Sequence, residues 1–438
     1  MDHLLSARAL MGISLGFHII YVAFGIGFPL LLLIAEGMAL KTGNELYHRV
    51  ARNWTRPIVV LFAIGAVSGT ILSFELGLLW PVFMGFGGPM IGLAFWLEGF
   101  AFFTEAIFVS LYVYGERRLS RRALFLTTIP IAISSMISAV FVISANSWMN
   151  TPAGFDLVNG NAVHVNPWQA MKNPAWLHEA LHGTLATYVA SSFALAGVYA
   201  YHLLKGRNTP EHKAALSLAL AVAGITVPLM LLTGDQSAMR VAVQQPAKLA
   251  AMEALPRTME GAPLVIGGWL DPATNRVRYG VEIPKLLSFL AFRDPDARVL
   301  GLDAFPPKLR PDANIVHPFF DLMVASFFIM FAAMLWFWIA RWRSKDVPAN
   351  RLLLLAILAA SPFGLLAQEF GWFVTEFGRQ PWIARNIMLV AGGVTPRNVE
   401  WVLYLFVFVY FALTTGLLRL LLTPSPLKPG IPEQKEDY

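Results

Sequence analysis

Nine apolar runs, each long enough to cross a bilayer, constrain this chain more than any other feature of its sequence. A hydrocarbon core about 30 Å thick is crossed by roughly 20 residues of helix. The 438-residue chain is 56% hydrophobic and only 14% charged, far from the composition of a soluble domain. We therefore predict an all-α integral membrane protein with nine transmembrane helices and an uncleaved first span. The predicted spans are Met11–Ala35, Pro57–Leu79, Pro89–Tyr114, Ala123–Ser144, Leu181–Leu203, Ala214–Leu232, Phe319–Ala340, Leu352–Val374 and Val402–Leu422.

Basic residues alternate between the loops, which predicts the orientation of the chain. The loops after the first, third, fifth and seventh spans are rich in Lys and Arg, whereas 82–88 has none and 145–179 has only Lys172. Cytoplasmic loops are enriched in these residues, so we expect the N-terminus outside and the tail, Pro424–Tyr438, in the cytoplasm. The net charge of +6 then reflects membrane topology, and nucleic-acid binding is not expected.

One large polar segment, Gly234–His317, separates the sixth and seventh spans and is placed outside by the same rule. It carries charges of both signs, several prolines and a predicted hairpin around Asp271–Arg278. Loops of this length are more often functional than not. We divide the chain into helices one to six (1–233), an extracytoplasmic loop (234–317), helices seven to nine (318–423) and a cytoplasmic tail (424–438).

Cysteine is absent from the chain. Its absence excludes disulfides, iron–sulfur clusters, thiolate-ligated haem and the covalent attachment of c-type haem. Any redox chemistry must therefore use noncovalent cofactors held by His, Met or carboxylate.

Few side chains within the spans could hold such a cofactor. His18 lies about two turns into the first span, and Glu98 lies nearly three turns into the third. Glu105 follows Glu98 by seven residues, so the two carboxylates share nearly one helix face. The fifth span begins beside His178 and His182.

Two further spans bring candidates to the same outer half of the membrane. Met323 lies near the start of the seventh span, and Glu376 and Arg379 follow the eighth within QEFGWFVTEFGRQPW (Gln368–Trp382). Charges are costly in a bilayer, about 2.5–3.5 kcal/mol each at its centre on insertion scales, so such groups mark functional sites. The convergence predicts a buried cofactor cluster near one surface.

Each candidate also has a simpler interpretation. A Met near a helix end is usually core filler, and His178 or His182 at a span end is compatible with an interfacial role. His18 suits a ligand or a proton carrier equally well. Glu98 and Glu105 have little basicity nearby, which favours protonated acids or a proton relay over structural pairing. Glu75 and Glu369 are compatible with structural roles.

Several motifs together resemble subunit I of the cytochrome bd quinol oxidases. The resemblance covers nearly the whole chain, in matching order. The motifs are GWFVTEFGRQPW (371–382), the His18 region, LEGFAFFTE, SANSWMNTP (144–152), LHGTLATYV (181–189), GDQSA (234–238), KLAAMEA (248–254) and DLMVASF (321–327).

The resemblance implies three haems, two of type b and one of type d. His182 and Met323 match the axial pair of a low-spin haem b, and six-coordinate ligation suits electron transfer because it leaves no position for oxygen. His18 and Glu376 match the axial ligands of the two high-spin haems, and the assignment of each to haem b or haem d is open. Glu98 matches an acid that approaches one of these irons.

The same resemblance gives Glu98 a second role and assigns roles to five further residues. Glu98 and Glu105 correspond to acids that relay protons. Arg379 matches a partner of a haem propionate and Trp372 an aromatic bridge between haems. The resemblance also pairs Lys248 with Glu253 in the quinol-binding loop, where a carboxylate accepts a proton from the quinol.

The implied activity is a terminal oxidase of a bacterial or archaeal plasma membrane. It oxidises quinol at the outer face and reduces O2 to water with cytoplasmic protons, which generates a proton motive force without pumping. A second hydrophobic subunit, a small single-helix subunit and membrane lipid are the implied partners. The alternatives are a proton-coupled transporter that uses Glu98, Glu105 and His18, and a purely structural membrane subunit.

The chain departs from the family pattern at two points. Its loop is of the short type, without the long C-terminal insertion of some members. Asp321 stands where many members carry Arg, which removes one cationic contact near the low-spin haem. Relatives that contain only b-type haems share these motifs, so the sequence leaves haem b in place of haem d as an open alternative.

Overall fold

Long helices make up most of the protein, as seen in a computed structural model that describes residues 2–348 and 350–422. The predicted tail at 424–438 lies outside the described residues. The helices are α1 (His3–Thr42), α2 (Glu45–Leu79), α3 (Pro81–Gly115), α4 (Arg121–Asn150), α5 (Pro167–Met171), α6 (Trp176–Leu204), α7 (Pro210–Gln244), α8 (Pro246–Met252), α9 (Leu286–Phe292), α10 (Ala313–Ser344), α11 (Arg351–Ala360), α12 (Phe363–Phe377), α13 (Val390–Gly393) and α14 (Glu400–Leu422).

Eight helical segments of the described chain are long and apolar enough to cross a membrane. They are α1 to α4, α7, α10, α14 and the pair formed by α11 and α12. Helix α6, the predicted fifth span, has 29 residues but carries several Ser, Thr and His side chains that lower its mean hydropathy. A multi-pass membrane protein is therefore confirmed, and the count of nine spans stays a prediction.

The helices extend well beyond the apolar runs. Helix α1 has 40 residues, and α3 begins at Pro81 and not at Pro89. Proline is tolerated in a first helical turn because its missing N–H would have no partner there. Glu98 therefore lies near the middle of α3, about 25 Å from each end at 1.5 Å per residue, deeper than the three turns that we predicted.

The predicted eighth span is interrupted at Ser361 and Pro362, between α11 and α12. Proline lacks the N–H that would continue the helical ladder, and its ring clashes with the preceding turn. Helix α12 consequently begins as a separate element that runs from Phe363 to Phe377. This second half carries the Gln368–Trp382 motif, apart from its last residues.

Short elements fill the connections. The strands are β1 (Asp156–Val158), β2 (Asn161–Val163), β3 (Met259–Glu260), β4 (Leu264–Ile266), β5 (Trp269–Asp271), β6 (Arg276–Arg278), β7 (Val281–Ile283), β8 (Arg298–Val299), β9 (Trp382–Ala384) and β10 (Met388–Leu389). They pair antiparallel as β1 with β2, β3 with β8, β4 with β7, β5 with β6 and β9 with β10. Two 3₁₀ turns, Leu302–Ala304 and Pro307–Leu309, precede α10.

The large loop is shorter than its predicted limits because helices occupy both of its ends. Helix α7 continues to Gln244, and α10 begins at Ala313. The predicted hairpin is confirmed, since β5 and β6 pair with Leu270 opposite Val277. The division into a loop domain and two helical domains stays a prediction.

Ion pairs gather the basic loops at one end of the bundle. Arg52 pairs with Glu116 at 2.9 Å and joins α2 to the end of α3. Arg49 pairs with Glu211 at 2.9 Å and joins α2 to the start of α7. Lys213 pairs with Asp346 at 4.0 Å and joins the start of α7 to the segment after α10. We call this end the basic face, formed by residues 41–56, 115–122, 205–213, 341–348 and 350–351. The odd-numbered loops thus share one side, and the side of the membrane that it faces stays a prediction.

Helix α6 lies at the centre of the packing. Ala190, Ser191 and Phe193 on it are fully buried. Glycines let neighbouring helices approach it closely: a Cβ atom added at Gly364 of α12 would lie 2.6 Å from the Cα atom of Ala190. Small residues commonly allow such backbone contact between membrane helices.

We predict that Gly364→Ala destabilises the protein by about 1–3 kcal/mol, because the added methyl group overpacks the contact with α6. Thermal unfolding of the purified protein measures the loss. Gly65→Ala is the matched control, since a Cβ atom at Gly65 would meet nothing within 4 Å. Equal melting temperatures for the two variants would contradict the predicted contact.

Candidate functional site

A buried polar network surrounds Asn150 at the end opposite to the basic face. The side-chain oxygen of Asn150 accepts hydrogen bonds from Lys248 at 3.4 Å and from Arg379 at 3.2 Å. Its amide nitrogen donates to Glu179 at 3.0 Å. We call these four residues the Asn150 network. It joins α4, α6, the loop helix α8 and the segment after α12 through one fully buried amide.

Glu376 extends this network towards α4. One of its carboxylate oxygens accepts a hydrogen bond from Arg379, and the other accepts one from Asn146 at 2.7 Å. Each carboxylate oxygen has two lone pairs, so both keep the capacity to bind a further partner. Arg379 is 5% exposed, and its Nε–H has no partner among the described residues. A free buried donor suits an anionic group that is not part of the protein.

Lys248 and Glu253, predicted to act together, occupy different surroundings. Both are buried, but Lys248 contacts Asn150, whereas Glu253 lies in the field of Asp321. Burial lowers the pKa of Lys248 to about 8, and the carboxylate of Glu179 opposes that shift. Burial raises the pKa of Glu253 to about 8, and Asp321 adds to the increase. One oxygen of Glu253 has no hydrogen-bond partner among the described residues.

His317 fixes the loop to the start of α10. Its Nδ1 lies 2.7 Å from the carbonyl oxygen of Met252, and its Nε2 lies 3.0 Å from that of Gly267. Each ring nitrogen thus lies within hydrogen-bond distance of a loop carbonyl oxygen, which can only accept. Asp321 lies 3.5 Å from Nε2 and also accepts the backbone N–H of Gly267. This arrangement accounts for an acid at position 321: it contacts His317 and anchors the loop.

His182 and Met323, the predicted axial pair, each face a glycine on a neighbouring helix. A Cβ atom at Gly234 would lie 3.5 Å from Cε1 of His182, and one at Gly371 would lie 2.9 Å from Sδ of Met323. The hydroxyl of Thr233 donates to a backbone carbonyl, so its oxygen accepts from Nδ1 of His182 at 3.3 Å. The other ring nitrogen of His182 is then left with its lone pair for a metal.

His18 is oriented in the same way. The hydroxyl of Ser68 donates to the carbonyl of Ile64 at 2.9 Å, and its oxygen lies 2.8 Å from Nδ1 of His18. Nδ1 therefore carries the proton, and Nε2 keeps its lone pair. A Cβ atom at Gly69 would lie 3.1 Å from Cε1 of the same ring.

Two acids near His18 that we ranked as structural differ in their contacts. Glu75 is fully buried and accepts a hydrogen bond from Ser14 at 2.8 Å, but its other oxygen has no partner among the described residues. Glu369 of α12 approaches α1, where a Cβ atom at Gly16 would lie 3.5 Å from one of its oxygens. Glu369 also keeps one unpartnered oxygen in the described structure, as does the indole nitrogen of Trp372.

Glu98 and Glu105 keep the spacing that predicted a shared face of α3. Glu105 is 6% exposed and Glu98 is half-buried. Phe100 and Phe103, which lie between them in sequence, are exposed on the other side of the helix. The pair therefore faces the protein, and its role as a relay stays a prediction.

No group of three or more His, Asp or Glu in the part of the chain that the structure describes is arranged to hold a bare metal ion. A macrocycle would supply four ligands to its iron and leave only one or two to the protein. The isolated His18, His182, Met323 and Glu376 suit that requirement.

Comparison with known proteins identifies the family. The family model for cytochrome bd terminal oxidase subunit I matches residues 6–427. The chain belongs to this family. The resemblance drawn from the motifs is thereby confirmed, and the chain is similar to membrane oxidoreductases of respiratory chains.

Individual relatives match along almost their whole length. The putative cytochrome bd menaquinol oxidase subunit I of Bacillus subtilis is 37% identical and is aligned over 96% of both chains. The cytochrome bd ubiquinol oxidase subunit 1 of the same organism is 30% identical over 96% of this chain and 92% of its own. The structure of bd oxidase from Geobacillus thermodenitrificans superposes with a TM-score of 0.90 at 39% identity, and the match covers 96% and 98% of the two chains.

The chain fits the haems that this family implies. Free imidazole nitrogens at His18 and His182, glycines beside those rings and beside Met323, and the unpartnered Nε–H of Arg379 are what such groups require. These observations concern fit, and the assignment of each residue to a haem stays a prediction.

Sequence reasoning missed several residues of the site. Asn150, Asn146 and Glu179 lie within or beside motifs that we used only for recognition, and His317 was taken as the end of the loop. Asn146 and Asn150 carry uncharged amides, and an amide near the end of an apolar run does not show from sequence whether it is buried. His317 is one turn before Asp321, and that spacing on one helix face was the available clue.

We predict that Asn150→Ala lowers stability by about 1–3 kcal/mol for each buried group left without its partner. Lys248, Arg379 and Glu179 all lose a hydrogen bond in that variant. Thermal unfolding compared with Asn161→Ala, on the exposed hairpin of β1 and β2, measures the effect. If the Asn150→Ala protein were as stable as the control, the hydrogen bonds of the Asn150 network would not contribute to stability.

Proposed function

We propose that this chain is the haem-bearing subunit of a quinol:oxygen oxidoreductase. In this proposal it oxidises quinol at the face opposite to the basic face and reduces O2 to water. The observation that carries the proposal is the Asn150 network, in which Asn150 joins Lys248 of the loop to Arg379, and Arg379 in turn bonds Glu376. A loop that binds the reductant and a segment that binds iron are thus linked by hydrogen bonds.

His182 and Met323 would hold a low-spin haem b, and His18 and Glu376 would hold two high-spin haems, one b and one d or both b. When bound, these groups supply electron transfer and the reduction of oxygen. The chain orients both imidazoles through Ser68 and Thr233. Arg379 would neutralise a propionate, and Trp372 would pack between haems. Glu98 would approach a high-spin iron.

Glu253 suits the acceptance of a proton from quinol. It is buried, it has one unpartnered oxygen in the described structure, and its pKa is raised to about 8 by burial and by Asp321. Lys248 would act at a distance by holding Asn150 and, through it, Arg379. The relatives' names divide between menaquinol and ubiquinol, so the proposal concerns the class of quinols.

Proton supply is assigned to Glu105 and Glu98. The basic face is proposed to lie in the cytoplasm, with the N-terminus outside, in a bacterial or archaeal plasma membrane. Protons released by quinol outside and taken up from inside would generate a proton motive force without a pump. A second hydrophobic subunit and a small single-helix subunit are the proposed partners. The relatives give no support to a proton-coupled transporter.

The visible spectrum of the purified protein tests the oxidase proposal, and Met323→Leu tests the axial pair. The substitution removes the thioether sulfur but keeps the volume, so we expect loss of the low-spin haem signal and retention of the high-spin bands. Met330→Leu is the matched control, because Met330 is 2% exposed and lies seven residues further along α10. Pigment-free protein from haem-replete cells would overturn the proposal, and an unchanged Met323→Leu spectrum would remove Met323 from the site.

The pH dependence of quinol oxidation tests Glu253. A carboxyl with a pKa of about 8 carries its proton below that pH and accepts one only above it. We therefore expect kcat/KM for quinol to rise as pH increases through about 8 and Glu253→Gln to abolish this rise. Glu260→Gln, on an exposed strand, should keep it.

The contribution of Glu253 to stability changes with pH in the opposite direction to its expected effect on kcat/KM. A raised pKa favours the neutral form, so this contribution is present at low pH and is lost as pH rises from the unfolded value of 4.5 to about 8. Rates must therefore be expressed per intact haem protein. A pH profile of Glu253→Gln that matches the parent protein would count against the role of Glu253.

A further inference from the structure

A second buried polar cluster lies near the basic face, far from the Asn150 network along the helices. Glu36 of α1 is 2% exposed, and its carboxylate accepts a hydrogen bond from the hydroxyl of Tyr112 at 2.6 Å. The same carboxylate lies 2.9 Å from Nδ1 of His48. We call Glu36, His48 and Tyr112 the Glu36 cluster. Helices α1, α2 and α3 each supply one member.

Packing alone does not require these side chains. A buried ionisable pair is often no more stabilising than apolar residues of equal volume, because desolvation offsets the attraction. A membrane interior makes such groups still more costly, and they usually mark ion or proton pathways. The remaining question is what this cluster connects.

Tyr112 continues the face of α3 that carries the two relay acids. It follows Glu105 by seven residues, just as Glu105 follows Glu98, and each interval is about 10 Å along the helix. A cavity of about 10 Å³ lies beside Tyr112, at the lower limit of the space that one water molecule needs. Its lining is mainly apolar, and Tyr112 and Thr55 are the two lining residues that carry hydroxyl groups. Val109, which lines the cavity, is one turn from Tyr112 in the direction of Glu105.

The other end of the cluster approaches the surface. His48 is 7% exposed and lies one turn after Glu45, at the start of α2. Glu45 and Glu116 are carboxylates of the basic face, paired with Arg121 and Arg52 respectively. Acids at the mouth of a buried pathway raise the local proton concentration.

We propose that the Glu36 cluster is the entrance through which protons from the basic face reach Glu105 and Glu98. The inference rests on the proposed oxidase function and adds three residues to its proton supply. His48 takes up a proton from water and passes it to the carboxylate of Glu36. Tyr112 donates to the Glu36 carboxylate in the structure, so protonation of Glu36 must first reverse this hydrogen bond. Glu36 then donates to the phenolic oxygen, and the phenolic proton, turned away from Glu36, leaves towards Glu105 through water as Tyr112 takes the proton of Glu36. One proton enters and one leaves, and each residue returns to its starting state.

Time-resolved proton uptake in the complete oxidase complex, reconstituted in liposomes, tests this entrance. Reduced enzyme is mixed with oxygen, and a pH-sensitive dye on the side of the basic face reports uptake. In Tyr112→Phe and Glu36→Gln we expect the uptake rate to fall by at least about tenfold, a modest part of the roughly 10²–10⁴ that a positioned proton-transfer group contributes. Haem content and the rate of haem reduction by quinol should remain those of the parent protein.

Two controls define the comparison. Tyr114→Phe removes a phenol two residues away that is 77% exposed, so uptake should be unchanged. Glu105→Ala interrupts the relay at its next member and should reproduce the slow uptake. Tyr112→Phe keeps the aromatic ring in place, so it reports on the hydroxyl even if Glu36→Gln does not assemble.

The outcomes separate this inference from the proposed function. Uptake at the parent rate in Tyr112→Phe would overturn the entrance and leave the oxidase intact. Lower haem content or melting temperature with an unchanged uptake rate per haem would show that the cluster is only structural, which also overturns it. A parent protein without haem or oxygen consumption would refute the proposed function itself.

Discussion

Water is scarce inside a helix bundle in a bilayer, so each buried ionisable side chain must find its partner within the protein or in a cofactor. The rest of this structure depends on that constraint. At one end, Asn150 brings two cations and a carboxylate onto a single amide. Near the basic face, Glu36 is held by a phenol and an imidazole. Glu105 lies between these ends and forms no hydrogen bond with either cluster. The hydrogen bonds within the two clusters join helices to one another, whereas Glu105 has no hydrogen-bond partner of this kind among the described residues.

The Asn150 network is close to electrical balance when Glu376 is included, because Lys248 and Arg379 face Glu179 and Glu376. A balanced buried cluster resists the loss of any single charge, since the remaining charges would be uncompensated. The protonation of the loop and that of the segment after α12 are therefore coupled. In an oxidase of this family, such coupling would let events at the loop influence the surroundings of Glu376 without movement of the helices.

Periodicity and composition predicted the class of fold, the alternating basic loops and the hairpin of β5 and β6, because each depends on local sequence. Helix ends were predicted less well: α3 begins at Pro81, since polar or proline-containing turns can remain helical outside an apolar run. The site residues came from family motifs, which mark positions but not contacts. Lys248 and Glu253 are near neighbours in sequence, yet α8 directs them to different partners. Five residues span about 140° around a helix, so the spacing already predicts different faces, but the partners on each face depend on tertiary packing.

The central position of α6 also bears on how the protein is assembled. Gly27 of α1 and Gly364 of α12 both approach α6 so closely that an added Cβ atom would collide with it. Membrane helices insert first and associate afterwards. The contact between α6 and α12 cannot form until most of the chain has been synthesised, so the packing around α6 is completed only late in biogenesis. A cofactor site that depends on both α6 and α12 would then be complete only after α12 has been inserted.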